Sequence, residues 1–259
     1  MEDPLYTLPF IKEIINERQN DIVGIAVTNG DRLTIGKNRS KIAYVFSLLF
    51  IMGFISFFKN SIVTALYKVK KKSASVLSFF EDPGILKYAC DRNIPTYKIQ
   101  SPNKKEFLDQ LRDLNIDVII NQSQNILKKD LLSIPKIGVI NRHNALLPKN
   151  RGRLTPFWVL YKQEKETGVS IHFVNEGIDA GPIIVQEKYP VETKDNFNTL
   201  VDKNYKIAPH AIFKALNMLE IGENEYIVND DELATYNSVP TLKDALSYRL
   251  MRIRKAFRQ

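Results

Sequence analysis

Residues 138–182 read GVINRHNALLPKNRGRLTPFWVLYKQEKETGVSIHFVNEGIDAGP, and the fold and the chemistry of the chain both turn on how they are parsed. A short apolar run, Ile137 to Ile140, breaks abruptly into Asn141-Arg142-His143. Side chains alternate along an extended segment, so Asn141 and His143 face the same way. A second apolar run, Val169 to Val174, ends in Asn175-Glu176-Gly177-Ile178-Asp179, and Asp179 falls in a turn-rich Gly-Ile-Asp-Ala-Gly-Pro loop. Open α/β sheets place their ligands beyond the carboxyl ends of strands. Two strand ends therefore offer an amide, an imidazole and a carboxylate, a trio able to orient a carbonyl and move a proton.

The wording of these residues carries more than the trio alone. NRHNALLPKNRG, then Pro156-Phe157-Trp158, then TGVSIHFVNEGIDAGPII form a long ordered match. It resembles the formyltransferase family that uses 10-formyltetrahydrofolate, whose signature is Asn-x-His, a Leu-Leu-Pro turn, Arg-Gly, Thr-Gly-Val-Thr-Ile-His and Gly-x-Asp-x-Gly. The resemblance implies a Rossmann-like α/β fold and a catalytic set of Asn141, His143 and Asp179. It also implies a pterin pocket between the loop after Ile120 and the loop before Asp179, with Ile126, Leu127, Gly177 and Ile178 as cofactor-binding positions. His172, in the Ile-His pair, is read as structural. Two departures stand out. Ala145 takes the place of the usual Ser in the His-x-Ser-Leu-Leu-Pro turn, losing a hydroxyl that could brace the loop. Asn121-Gln122-Ser123-Gln124-Asn125 is more polar than the family's pterin loop.

At 259 residues the chain is long enough for one large α/β domain, with or without a small appendage. Its single cysteine, Cys90, cannot form an internal disulfide, which fits a reducing compartment. Cysteine and histidine show no metal-ligand spacing, so no metal is expected. A net charge of +8 favours polyanionic partners without choosing among nucleotides, phosphorylated sugars, RNA and an anionic membrane surface. The start, MEDPLYTLPF, has no basic segment ahead of an apolar core and does not read as a secretory signal.

Along the chain, a helix is expected over Pro9–Glu17 and a buried strand over Asp21–Thr28. The family's pattern opens with a strand just ahead of a segment like Glu2–Tyr6, so the resemblance marks that first strand as missing. Ile42 to Phe58, IAYVFSLLFIMGFISFF, is apolar on all sides and carries no charge; Lys37, Arg39 and Lys41 precede it and Lys59 follows. A helix buried between strands is the leading reading. A helix lying in a membrane interface, helped by Lys68, Lys70, Lys71 and Lys72, is the second. A full span is the third. Further elements are a strand at Ser75–Phe80, a helix at Asp82–Arg92 and a strand at Pro95–Ile99. A helix at Lys104–Leu114 follows, capped by Ser101, with Phe107, Leu108 and Leu111 buried; then come a strand at Asp117–Ile120 and a short helix at Lys129–Ser133. This alternation predicts a doubly wound, mostly parallel sheet. It divides the chain into a catalytic domain, residues 1–193, and a mainly helical C-terminal extension, residues 194–259. The extension holds a long helix at Phe197–Leu219 interrupted near Pro209, an acidic loop at Glu223–Glu232 and a basic final helix at Leu242–Arg258.

The function expected from the resemblance is formyl transfer from 10-formyltetrahydrofolate, as co-substrate, to a primary amine. An amino-sugar nucleotide is the leading acceptor, because residues 194–259 read mainly as helix and are short for the barrel-like domain of the tRNA-modifying branch. Methionyl-tRNA is the alternative, and a folate-binding or membrane-associated relative without transfer activity is a third. The expected location is the cytoplasm, with peripheral contact at the inner membrane surface as a further reading; the oligomeric state stays open.

Overall fold

Short β-rich runs separated by amphipathic helices build an α/β architecture. In the computed structural model, residues 3–28, 40–77 and 79–257 are described. The first half comprises α1 (Thr7–Arg18), β1 (Ile25–Thr28), α2 (Lys41–Met52), α3 (Phe54–Val76), α4 (Ile85–Cys90), β2 (Thr96–Ile99), α5 (Lys105–Arg112), β3 (Val118–Asn121), α6 (Lys129–Leu132) and β4 (Gly138–His143). The second comprises β5 (Arg151–Gly152), α7 (Thr155–Tyr161), β6 (Glu166–Phe173), β7 (Ile183–Pro190), α8 (Phe197–Glu220), β8 (Tyr236–Asn237) and α9 (Leu242–Ala256).

Three pairings are parallel, β1 with β2, β3 with β4 and β5 with β8, whereas β6 and β7 join β4 in antiparallel order. The central sheet runs β3-β4-β6-β7. Its register sets Asn121 opposite Asn141 and Asn141 opposite His172, so three polar residues form a row across three strands. The side chains of such a row share one face, and His143 joins them two residues further along β4. The opposite face, carrying Ile140, Val169 and Ile171, is covered by α1 and α8 through Phe10, Ile14, Ala208, Ala211, Ile212 and Ala215. The site face is backed by α5, whose Phe107, Leu108 and Leu111 pack with Val139 and Leu131. Helix α8 thus shares the principal apolar cluster with the sheet.

Between β1 and β3 lies an apolar cleft of about 670 Å³, lined along the length of both strands and by Ile14 and Ile15 of α1 and Phe107 and Leu111 of α5. β1 and β3 each stand at the edge of their own sheet, so each presents one side of its backbone to this cleft.

The structure corrects several expectations. The apolar segment from Ile42 to Phe58 is two helices, broken at Gly53, whose φ of +82° suits glycine, and the pair is bent by 119°. Nor is it a buried helix. Of α2 only Ser47 and Ile51 are buried, against α7, α8 and α9, and no residue of α3 is buried. Apolar composition fixed the helices, but none of the described residues covers their outer faces. The strand expected at Ser75–Phe80 does not form: α3 runs on through Val76 and residues 79–80 lie in a turn and a bend, Ser78 falling outside the described residues. Ser101 does not cap α5, whose N-cap is Lys104; its hydroxyl accepts from the Asn103 amide instead. Helix α8 continues through Pro209 without interruption. Lys37 and Arg39, and the residues after Thr28 up to them, lie outside the described residues.

Candidate active site

Two of the three residues expected to carry chemistry meet directly, and the third shares the strand face of one of them. His143 Nδ1 lies 3.4 Å from Asp179 Oδ2. Asn141 sits two residues away on the same face of β4, with its side-chain amide making no hydrogen bond among the described residues. His143 is buried in spite of its polarity. A buried ring needs partners, and it has them: Nε2 lies 2.8 Å from the Asn150 carbonyl. A carbonyl only accepts, so Nε2 carries the hydrogen, and in the neutral ring the lone pair sits on Nδ1, toward Asp179. Burial pushes the His143 pKa down from its ordinary value, and the Asp179 carboxylate and the Asn150 contact oppose that shift in part.

One short segment holds both partners. The Asn150 carbonyl accepts from His143, and two residues on the Gly152 N–H donates to Asp179 Oδ2 at 2.8 Å. Gly152 has φ of +103° and packs so closely on Asn237 that a Cβ there would lie 2.2 Å from its carbonyl oxygen. Asn150 is itself buried and held by several contacts: its amide donates to Glu164, and its oxygen accepts from Lys162 and from Asn237. Asp179 adopts φ of +49°, a left-handed conformation that Asp tolerates better than most residues.

His172 belongs to the same cluster and not merely to the framework. Its ring is buried, its Nε2 lies 3.7 Å from Asp179 Oδ1, and its centroid is 6.3 Å from that of His143. Its Nδ1 donates to the Phe173 carbonyl at 2.7 Å, leaving Nε2 as a buried acceptor with no hydrogen bond among the described residues. Burial, with His143 nearby, lowers its pKa to about 4, so the ring is neutral at physiological pH. Asp179 thus stands between two imidazoles.

Sequence reading also left Arg151 and the segment at residues 229–236 out of the site. Arg151 is fully buried; its guanidinium donates to Asp231, to the Tyr236 hydroxyl and twice to Asn229. Asn229 Nδ2 in turn donates to the carbonyls of Asp179 and Gly181, both at 2.8 Å. A chain of contacts therefore runs from Arg151 through Asn229 to the loop that carries Asp179. The available signal was the adjacent Arg-Gly and the Asn229-Asp230-Asp231 run, distant in sequence and ordinary in composition.

The hydroxyl lost at Ala145 is supplied from β6. Ser170 donates to the Ala145 carbonyl at 2.7 Å and accepts from the Leu147 amide at 3.1 Å, while Gln186 donates to the Leu147 carbonyl. Of the four positions expected to line a pterin pocket, Ile126 and Ile178 are 85% and 65% exposed, and Gly177 is exposed as well. Leu127 is buried with Phe107 and Leu131, so its side chain is taken up by the core.

A family model described as formyl transferase matches residues 48–216, well over half of the chain. The chain belongs to the formyl transferase family. Asn141, His143, His172 and Asp179 all lie inside the match, whereas Asn229, Asp231 and Tyr236 lie beyond it. Among curated relatives, the methionyl-tRNA formyltransferase of Kosmotoga olearia is 31% identical over 195 residues, covering 70% of this chain and 63% of that one. The enzyme of the same name from Clostridioides difficile is 35% identical over 149 residues, 57% of this chain and 48% of that one. The chain thus spans between about half and 63% of the length of these relatives. Among solved structures, the phosphoribosylglycinamide formyltransferase from Anaplasma phagocytophilum overlays with a TM-score of 0.49 at 22% identity, over 58% of this chain and 78% of that one.

Proposed function

We propose that the chain transfers a formyl group from 10-formyltetrahydrofolate to a primary amine. The observation that carries this reading is the approach of His143 Nδ1 to Asp179 Oδ2 at 3.4 Å, beside Asn141, in a chain of the formyl transferase family. The donor supplies a formyl carbon activated by its bond to nitrogen. Asn141 has an uncommitted amide to donate to the formyl oxygen as negative charge develops there. His143, its Nε2–H held by Asn150, has its Nδ1 lone pair free to take the proton of the attacking amine. Asp179 stabilises the imidazolium so formed. His143 then returns the proton to the donor nitrogen as its bond to the formyl carbon breaks and the new amide remains. Ile126, Gly177 and Ile178 would hold the pterin.

The acceptor we infer is the amino group of methionyl-tRNA, and the support is the name shared by the curated relatives. This reverses the order expected from the sequence, where an amino-sugar nucleotide came first. The charge of +8 suits RNA. The test is to mix the protein with 10-formyltetrahydrofolate and, separately, methionyl-tRNA or a panel of amino-sugar nucleotides, and to follow tetrahydrofolate release. Release with methionyl-tRNA alone supports the full reading. Release with an amino-sugar nucleotide alone keeps the chemistry and replaces the acceptor. No release with any amine, from protein that binds the folate, overturns transfer.

A further inference from the structure

The bent helix pair α2–α3 has no counterpart in the chemistry above, and its surface is unusual. On α3, Phe54, Ile55, Phe58, Ile62, Leu66, Val69 and Val76 are all exposed, between 54% and 87%. From Phe58 they recur at i+4, i+4, i+3 and i+7, the spacing of a single helical face. Lys59 and Lys70 border that face on one side and Lys68 and Lys72 on the other, and all four are exposed. The opposite face, which includes Tyr67, is the one that packs toward the body of the protein.

Helix α9, which packs on α2, repeats the arrangement. Leu246, Leu250, Ile253 and Phe257 recur at i+4, i+3 and i+4 and are exposed, with Arg249 and Arg254 beside them. From Ser40 to Phe80 the sequence holds six lysines and no aspartate or glutamate. A soluble surface normally mixes charge signs and rarely leaves so long an apolar stripe open.

We propose that α3, with the adjoining outer faces of α2 and α9, docks on the surface of an anionic phospholipid bilayer. The apolar stripe would sink to the acyl boundary and the flanking lysines would reach the phosphate headgroups. Charge decides for this occupant. A second copy of the chain would bring one lysine-rich, acid-free segment against another, with no carboxylate between Ser40 and Phe80 to pair with. No single described helix is long and apolar enough to cross a bilayer; α2 and α3 meet that test only together, as a pair bent by 119°, and their insertion, which would overturn surface docking, would show as binding that survives high salt. The proposal is independent of which amine the site formylates.

The experiment is flotation of the full chain with vesicles of phosphatidylcholine alone or with phosphatidylglycerol, at low and high salt, next to light scattering without lipid. Expected are a monomer in the absence of vesicles, flotation with the anionic vesicles at low salt, and release at high salt. The double substitution Lys59→Gln and Lys70→Gln should weaken partitioning by on the order of tenfold or more. Ile62→Glu with Leu66→Glu should abolish it, and because both side chains are exposed the melting temperature should hold. Should the latter variant misfold, the lysine pair decides. Absence of flotation with anionic vesicles at low salt would overturn the proposal. So would equal binding to neutral vesicles, or a dimer that Ile62→Glu dissociates.

Discussion

The Nε2–H of His143 points at the carbonyl of Asn150 from 2.8 Å, and this single contact fixes where the ring can exchange a proton. With Nε2 committed as donor, only Nδ1 is free to accept, and Nδ1 is the atom that faces Asp179. Nitrogen-15 shifts of His143 at neutral pH should report the neutral tautomer protonated on Nε2. A ring protonated on Nδ1 alone would contradict the geometry. The rate should be flat above the ordinary histidine range and fall on acidification below it, because burial lowers the His143 pKa.

Asp179→Asn tests the charge without removing the acceptor. The amide oxygen can still receive the Gly152 N–H, so the loop should keep its shape while the imidazolium loses its counter-charge. Formyl transfer should drop by roughly a hundredfold or more, with His143→Ala comparable. Folate affinity should change far less, since Ile126, Gly177 and Ile178, the residues assigned to the pterin, are left in place and the Gly152 N–H still holds the loop. Wild-type rates in both variants would remove the pair from the mechanism.

Stability should also depend on pH, with a definite sign. His143 and His172 are buried and neutral in the folded chain, with pKa values below the unfolded value of about 6.5. Between the folded and unfolded values the unfolded chain binds more protons, so stability rises with pH there and is lost on acidification. For His172, with a folded value of about 4, that window runs from pH 6.5 down to 4. Urea midpoints across this range should fall steadily, and His172→Gln should flatten the slope. An unchanged slope would place the acid sensitivity elsewhere.

Arg151→Ala should destabilise the fold more than an ordinary surface arginine. The side chain is fully buried and satisfies the Asn229 carbonyl and the Tyr236 hydroxyl, which would be left without their donor. Asp231 and Tyr236 are exposed and can turn to water, so a loss of about 1–3 kcal/mol, the scale for leaving the half-buried Asn229 without its donor, is expected. Arg151→Lys should recover little, because one ammonium cannot reproduce a forked set of donors. Denaturant titration checks both.

Gly152→Ala separates architecture from chemistry. The added methyl meets the Asn237 carbonyl at 2.2 Å and a φ of +103° is strained for alanine, so β5 and β8 must part. Because the Gly152 N–H holds Asp179, activity should fall together with stability. Retained activity in a destabilised protein would show that Asp179 is positioned by Asn229 instead.

Periodicity made α5 legible, since Phe107, Leu108 and Leu111 are buried as their spacing requires. It also made the strand character of Val118–Asn121 and Gly138–His143 clear, and with it the common face of Asn141 and His143. What stayed hidden was contact across sequence distance. Nothing local to Asn229 says that its amide closes on Asp179, 50 residues away. His172 sits inside a strand where a satisfied structural histidine is the ordinary finding, and only the register Asn121, Asn141, His172 brings it to the site. The opposite error arose at Ile42–Phe58, where an apolar composition implied burial that the packing does not supply.

The cleft between β1 and β3 leaves an isotopic signature. The Ile25 N–H donates to the Pro95 carbonyl across the β1–β2 pair, and in a parallel ladder the bonding residues alternate, so Ile25 and Val27 are tied to β2 while Ala26 and Thr28 turn their amides to the cleft. In deuterated solvent the four residues of one short strand should therefore exchange in alternation, slow, fast, slow, fast, as though half of the strand belonged to a sheet and half to a surface.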